Sequence, residues 1–381
     1  MTFQPQQLLI VGAGFSANAG LPLASQFTAQ LLDVERLVSD GPSNGQVRFL
    51  KAFVDKIFGE GAERSADQWP EMEDILTLVD LSANTGHHLG PEFSPSQLRV
   101  VRRAIIVRMI RMLGQAYRRR QKNPDDDWAK LETLFGAFDL EKTAVLSMNW
   151  DTVFEQGVAR TQLARRVDYG FEATACEVSK GKLARRRLAD GPRLNILKPH
   201  GSANWLYCDA CRETFWLPPS EHEVIAKTLF RDRDWEAISP FTRLKTKPGV
   251  LELACPHCEA NALGTRFATF SYRKALDFPM DAGSWRAAEA YLKRSSDWVF
   301  FGYSMPAADF EFKHLLKRVQ LSEKYRPDIT VITGGTGADE TISRFERFFG
   351  DVSGERTYFR KGLNDKALAH LRKIGVLKAV P

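Results

Sequence analysis

No apolar run in this chain approaches the roughly 20 residues that a membrane-crossing helix needs, so no helical span is expected. Lysine and arginine are missing from the segment before Leu8, which leaves no basic start for a secretory leader. Cysteine is scarce: five residues in 381 do not suggest a disulfide scaffold, and the expected setting is the reducing cytoplasm. Neither sign of charge dominates, with 53 lysines and arginines against 47 acidic residues and a formal net charge of +6, so composition names no polyanionic partner. Internal repeats are lacking too, which excludes a solenoid. What remains, 44% hydrophobic and 26% charged residues, is the composition of a globular chain with room for one large core or two modest ones.

The most informative stretch begins at Leu8-Leu9-Ile10-Val11, four apolar residues suited to a buried parallel strand. Gly12-Ala13-Gly14-Phe15-Ser16-Ala17-Asn18-Ala19-Gly20-Leu21-Pro22 follows. Its glycines permit a sharp turn and a close approach to a diphosphate. Leu23 to Leu32 then reads as a helix whose N-terminal N–H groups favour an anion. Taken strictly the pattern is GxGxxA, a variant of the dinucleotide fingerprint and a weak signal when alone. It implies a phosphate-bearing ligand and leaves the chemistry open.

Four later segments share this layout. Thr143–Met148 runs into Asn149-Trp150-Asp151, Leu194–Leu197 into Lys198-Pro199-His200-Gly201-Ser202, Trp298–Phe301 into Gly302-Tyr303-Ser304-Met305-Pro306, and Ile329–Ile332 into Thr333-Gly334-Gly335. Helical stretches such as Ser284–Arg294 and Phe310–Leu321 lie between them. The alternation predicts an α/β fold: a Rossmann-like parallel sheet with helices on both faces, plus a helical insertion and a small zinc-binding module. Ligands of open parallel sheets bind beyond the carboxyl ends of the strands, so the five polar clusters should converge on one crevice.

The domain organisation expected is a first Rossmann-like part at 1–40, a helical insertion at 41–140 and the Rossmann-like domain continued at 141–205. A zinc-knuckle module at 206–265, completion of the Rossmann-like domain at 266–350 and a helical tail at 351–381 follow. Within the insertion, Gln46–Phe58, Glu71–Leu81, Gln97–Lys122 and Trp128–Phe138 read as helices. Gln97–Lys122 carries eight arginines, Arg99, Arg102, Arg103, Arg108, Arg111, Arg118, Arg119 and Arg120, opposite an apolar stripe of Leu98, Val101, Ile105, Met109, Met112 and Ala116. A second basic cluster spans Lys180 to Arg187. A solvated face and a nucleic-acid surface are both open readings of these charges, and no interleaved aromatics favour the second.

Cys208-Asp209-Ala210-Cys211 and Cys255-Pro256-His257-Cys258 are paired C-x2-C knuckles, which together offer four thiolates for a structural Zn2+. Their separation requires an insertion inside the module. His257 is expected to be an exposed neighbour and Cys176 a small core residue.

The order of these motifs resembles the sirtuins, whose chains run Gly-Ala-Gly-x-Ser, Gly-x-Pro, a Gln-Asn-x-Asp turn, His-Gly, zinc knuckles and Gly-x-Ser. Here the corresponding residues are Gly12–Ser16, Gly20-Leu21-Pro22, Met148-Asn149-Trp150-Asp151, His200-Gly201, the four cysteines and Gly302-Tyr303-Ser304, between Gln7 and about Gly350. The resemblance implies that NAD+ is cleaved at the nicotinamide–ribose bond. Gly12, Ala13, Gly14 and Ser16 with Gly302 and Ser304 would cradle the phosphates and adenosine ribose, and Thr333 and Gly334 would line the same dinucleotide crevice. Asn149 would hold the nicotinamide ribose or a water, Asp151 the carboxamide, and His200 would act on the ribose hydroxyls or the attacking water. Plainer roles stay open beside these: a turn-forming asparagine at Asn149 and a helix N-cap at Asp151.

This chain departs from sirtuin deacylases in its peptide-binding half. No arginine follows Pro22, Phe270-Ser271-Tyr272-Arg273-Lys274 stands where Phe-Gly-Glu is usual, and Met305-Pro306-Ala307-Ala308-Asp309 replaces the peptide-pairing strand. The chain is more similar to the bacterial sirtuin-like NAD+ hydrolases of antiphage defence, in which water is the nucleophile. The alternative is an NAD-dependent lysine deacylase or ADP-ribosyltransferase. A Rossmann oxidoreductase would need an acidic residue after a second strand, and Asp33 and Glu35 instead sit in the helix-like stretch Leu31–Val38. Because unrestrained NAD+ hydrolysis is toxic, a regulated homo-oligomer is expected, with a partner ATPase or a nucleic-acid trigger as further expectations by analogy.

Overall fold

The computed structural model describes residues 4–33, 42–59, 68–241, 250–265, 282–322 and 326–379. Glu35, most of the helix-like stretch Leu31–Val38 and the segment Phe270–Lys274 lie outside them. The chain opens with β1 (Gln7–Val11), α1 (Ala13–Asn18) and α2 (Ala24–Leu31). Four helices follow, α3 (Pro42–Phe58), α4 (Met72–Thr85), α5 (Pro95–Lys122) and α6 (Asp126–Ala137). Next come β2 (Thr143–Ser147), α7 (Val153–Arg160), β3 (Arg166–Asp168), β4 (Thr174–Ser179), β5 (Lys182–Arg185) and β6 (Arg193–Leu197). The central stretch adds β7 (Trp205–Cys208), β8 (Thr214–Trp216), α8 (His222–Leu229), α9 (Asp232–Ala237) and β9 (Leu263–Gly264). The chain ends with α10 (Ala282–Arg294), β10 (Asp297–Phe301), α11 (Phe310–Ser322), β11 (Asp328–Ile332), α12 (Ala338–Phe349), β12 (Arg356–Phe359) and α13 (Asp365–Lys373).

Seven strands form an all-parallel sheet in the order β12-β11-β10-β1-β2-β6-β3. Successive strand residues point to opposite faces, and here both faces are covered. Leu9, Val11, Val145 and Val299 pack with α2, α5, α6 and α7, whereas Leu8, Ile10, Leu146 and Phe300 pack with α10, α11 and α12. That double burial explains why the central strands read as continuous apolar runs. From β1 the chain lays β2 beside it, then the edge strand β3, and β6 between these two, before it returns to the other side of β1 and builds β10, β11 and β12. The direction therefore reverses between β1 and β10, the kind of switch point that opens a ligand crevice in doubly wound sheets.

Three sequence expectations change. The helix that follows the glycine segment is α1, which begins inside it at Ala13; the stretch expected at Leu23–Leu32 forms as α2, beyond a break at Gly20 with φ +81°. The expected helical tail first supplies β12, which pairs with β11 at the sheet edge. The small sheet has the order β5-β4-β8-β7-β9, so it takes β4 and β5 from the stretch expected to continue the large domain.

The arginine-rich helix also differs from its expected form. Ser94 and Gln97 make a capping box, Pro95 occupies the first turn, and the helix runs 28 residues to Lys122. Its arginines are largely paired within the molecule. Arg102 meets Asp80 of α4 at 2.6 Å, Arg103 meets Asp234 of α9 at 2.5 Å, and Arg111 grips Glu223 of α8 through two bonds of 2.9 and 3.0 Å. Arg108 and Arg111 are buried, and burial lowers the Arg108 guanidinium to about 10. The middle of this helix is a packing hub rather than a basic outer face; Arg118 and Arg119 near its end are exposed. Among the described residues no helix is long and apolar enough to cross a membrane.

Candidate active site and metal centre

The loops after β1 and β10 meet backbone on backbone. Gly12 N–H donates to the Phe301 carbonyl at 3.1 Å, Gly14 N–H to the Gly302 carbonyl at 2.8 Å, and Gly302 N–H to the Ile332 carbonyl at 2.9 Å. A Cβ on Gly12 would lie 2.6 Å from Tyr303 Cα, and one on Gly14 would lie 2.8 Å from Gly302 Cα. The glycines are thus required first by the mutual approach of two strand ends, and three of the N–H groups expected to face a diphosphate are engaged with protein carbonyls. Of the residues expected at the dinucleotide crevice, Ala13, Ser304 and Gly334 are exposed, while Thr333 is half-buried with its N–H on the Phe359 carbonyl.

On the other side of β1, three side chains predicted from sequence converge. Ser16 Oγ donates to Asp151 Oδ2 at 2.7 Å, and Asn149 Nδ2 donates to Ser16 Oγ at 2.9 Å and to the Gly12 carbonyl at 2.8 Å. Asp151 Oδ1 accepts the N–H of Val153 at 3.0 Å, so the N-cap role and the site role coexist in one carboxylate. His200 is buried, with Nδ1 3.2 Å from the Met148 carbonyl. A carbonyl only accepts, so Nδ1 carries the hydrogen and Nε2 is the basic nitrogen of the neutral ring.

No protein-family model matches this chain, and no curated protein matches it.

Several residues around the site escaped sequence reasoning. Lys198 is fully buried and donates to the carbonyls of Asp151 and Trp150 and to Glu155 Oε1 at 3.1 Å. Burial holds the Glu155 carboxyl above its usual range, against the opposing pull of Lys198. The Trp285 ring of α10 lies 6.1 Å from the His200 ring. Arg120, at the end of α5, lies over Gly20: a Cβ there would come within 3.1 Å of the arginine's own Cβ. An arginine of the inserted helix therefore lies against Gly20, and it is paired with Asp125. Beneath Thr152, His222 Nε2 lies 3.1 Å from Thr152 Oγ1, and burial pushes this imidazole down to about 4.

The four knuckle cysteines come together at one end of the small sheet, each Sγ within 4.8 Å of the others. Cys208 and Cys258 are 3.7 Å apart, and Cys211 and Cys255 are 3.6 Å apart. A disulfide needs about 2.05 Å, whereas a tetrahedron with Zn–S bonds of about 2.3 Å has edges of about 3.8 Å. The two knuckles repeat one backbone form: the residues after them, Arg212 and Glu259, take φ values of +64° and +61° and donate back to Cys208 and Cys255. The donor set fits a structural zinc ion. His257 is exposed and outside the cluster, and Cys176 is buried in the core. The insertion between the knuckles forms α8 and α9, whose acidic residues pair with α5.

Proposed function

We propose that this chain is a sirtuin-like NAD+ glycohydrolase, yielding nicotinamide and ADP-ribose, and that it serves bacterial antiphage defence. The observation that carries the reading is the joining of Ser16, Asn149 and Asp151 in one hydrogen-bonded group beside the β1/β10 switch point, with His200 anchored to the carbonyl that precedes Asn149. Asn149, Asp151 and His200 are the residues that the sirtuin resemblance names for the two ends of the scissile bond, and Ser16, which it names for the phosphates, bonds two of them.

The chemistry asks little acid of the site. Nicotinamide leaves as a neutral molecule from a pyridinium, so the barrier lies in supporting the oxocarbenium at ribose C1′ and in placing the nucleophile. Both Asn149 amide hydrogens are engaged, so its Oδ1 is the atom that accepts a ribose hydroxyl or water. Each Asp151 oxygen accepts one bond and retains a lone pair for a carboxamide N–H. As the C1′–N bond breaks, water oxygen bonds C1′ and its proton passes to His200 Nε2 and then to solvent. NAD+ and water become nicotinamide, ADP-ribose and one proton.

The test is an NAD+ depletion assay on each oligomeric fraction of the purified chain, with products separated and quantified, with and without acyl-lysine peptide. Nicotinamide and ADP-ribose should appear in equal amounts without peptide, and Asn149→Ala and His200→Ala should each lose roughly 100-fold or more. Full activity in both variants overturns the assignment. Turnover only with peptide makes the chain a deacylase or transferase, and tight ADP-ribose binding without turnover makes it a nucleotide-sensing module.

A further inference from the structure

Under the Asn149–Asp151 turn lies a buried charge that the proposed chemistry leaves without a task. β6 pairs with β2 in the register Leu146↔Leu197, which sets Lys198 level with Ser147, just before the turn. The Lys198 side chain is 0% exposed and that of Glu155 is 1% exposed. Lysine is almost never buried to this degree unless its donors are met. Here three N–H donors have three acceptors, and two of these are the carbonyls of Trp150 and Asp151.

The same segment holds the rest of the turn. His200 engages the Met148 carbonyl, and Ala203 N–H donates to the Trp150 carbonyl at 2.8 Å. The Asn149 carbonyl accepts Ser147 Oγ at 3.3 Å. Every carbonyl from Met148 to Asp151 therefore has a protein donor, and the exit of β6 supplies most of them. An apolar pair of similar volume would serve stability as well as a buried ion pair does, so its presence under this turn calls for another explanation.

We propose that Lys198 is a positioning residue: its ammonium, balanced by Glu155, pins the carbonyls of Trp150 and Asp151 so that the Asn149 and Asp151 side chains stay aligned with Ser16 and His200. For the reaction that it serves, this rests on the hydrolase reading. The pinning itself does not.

The experiment compares wild type with Lys198→Met/Glu155→Leu, which removes both charges together, and with the single variant Lys198→Gln. Melting temperature, local amide exchange and NAD+ kinetics are read on whichever variants fold. The expected signature is faster exchange confined to residues 148–152 and a kcat lowered roughly tenfold or more with KM nearly unchanged. A merely structural role would lower the melting temperature and leave both readouts at wild-type values, which overturns the proposal. If wild type itself does not turn over NAD+, the hydrolase reading fails, and the exchange at 148–152 still decides whether Lys198 holds the turn.

Discussion

Ser16 Oγ lies 2.7 Å from Asp151 Oδ2, joining the first helix of the chain to a turn 135 residues later. The same hydroxyl oxygen accepts from Asn149, so one small side chain orients two groups that the proposed reaction uses. Ser16→Ala removes a donor to a carboxylate and an acceptor for an amide at once. Hydrogen bonds to charged groups contribute about 1.5–3 kcal/mol. The expected stability cost is near the lower end, because Asp151 is half-buried and keeps the Val153 N–H. NAD+ turnover should fall more than stability predicts, and Ser16→Thr, which keeps the hydroxyl, should recover part of it. Unchanged turnover in Ser16→Ala would remove this group from the reaction.

Gly302 is the tightest point of the switch. Its φ is +65°, and a Cβ there would lie 2.0 Å from the Phe15 nitrogen. Gly302→Ala should therefore combine left-handed strain of about 1–2 kcal/mol with overpacking of about 1–3 kcal/mol. Chemical denaturation should show that loss with an unchanged m-value. Gly86→Ala is the control, since its φ is +79° and its Cβ would meet nothing within 4 Å; it should cost only the strain.

The cysteine cluster makes a prediction about metal content. The purified chain should carry one zinc ion, lost in Cys208→Ser and by chelation, with a lowered melting temperature. β7 carries Cys208 at its end, and Asn204, just before β7, donates to the Tyr169 hydroxyl at 3.2 Å. Loosening should therefore reach the floor of the candidate site, where Ser202 bonds Asn204 at 2.7 Å. A metal-free chain with an unaltered melting transition would show that the thiols stand without an ion.

How far the sequence discloses this molecule depends on how local each signal is. β1, β2, β6, β10 and β11 are visible because both faces of each are buried, which leaves little room for polar residues. The edge strands Arg166–Asp168 and Arg356–Phe359 are only partly buried, and their mixed residues carry no such run. The knuckles are visible because each pair of ligands is three residues apart. Arg111 and Lys198 mislead for the opposite reason. Their partners, Glu223 and Asp151, lie 112 and 47 residues away, so the sequence leaves Arg111 among open readings of a basic face and Lys198 in a rim cluster without a role of its own.

His222 contributes a pH-dependent part of the stability. It is buried on α8 against Thr152, with Arg118 adding repulsion, and its pKa falls from 6.5 to about 4. In the unfolded chain the imidazole takes up a proton near pH 6.5, while the folded chain resists protonation until about pH 4. Between those values the unfolded state binds more protons, so stability rises with pH across the window. The contribution is complete above pH 6.5, shrinks as pH falls, and amounts to about 3 kcal/mol in total. Glu155, raised by burial, titrates in the opposite sense, so the wild-type curve alone does not isolate the histidine. The measurement is therefore a difference. Denaturant unfolding of wild type and His222→Gln at pH 7 and pH 4.5 should show the variant losing less stability on acidification. Parallel losses in the two proteins would mean that His222 is not the group that resists the proton.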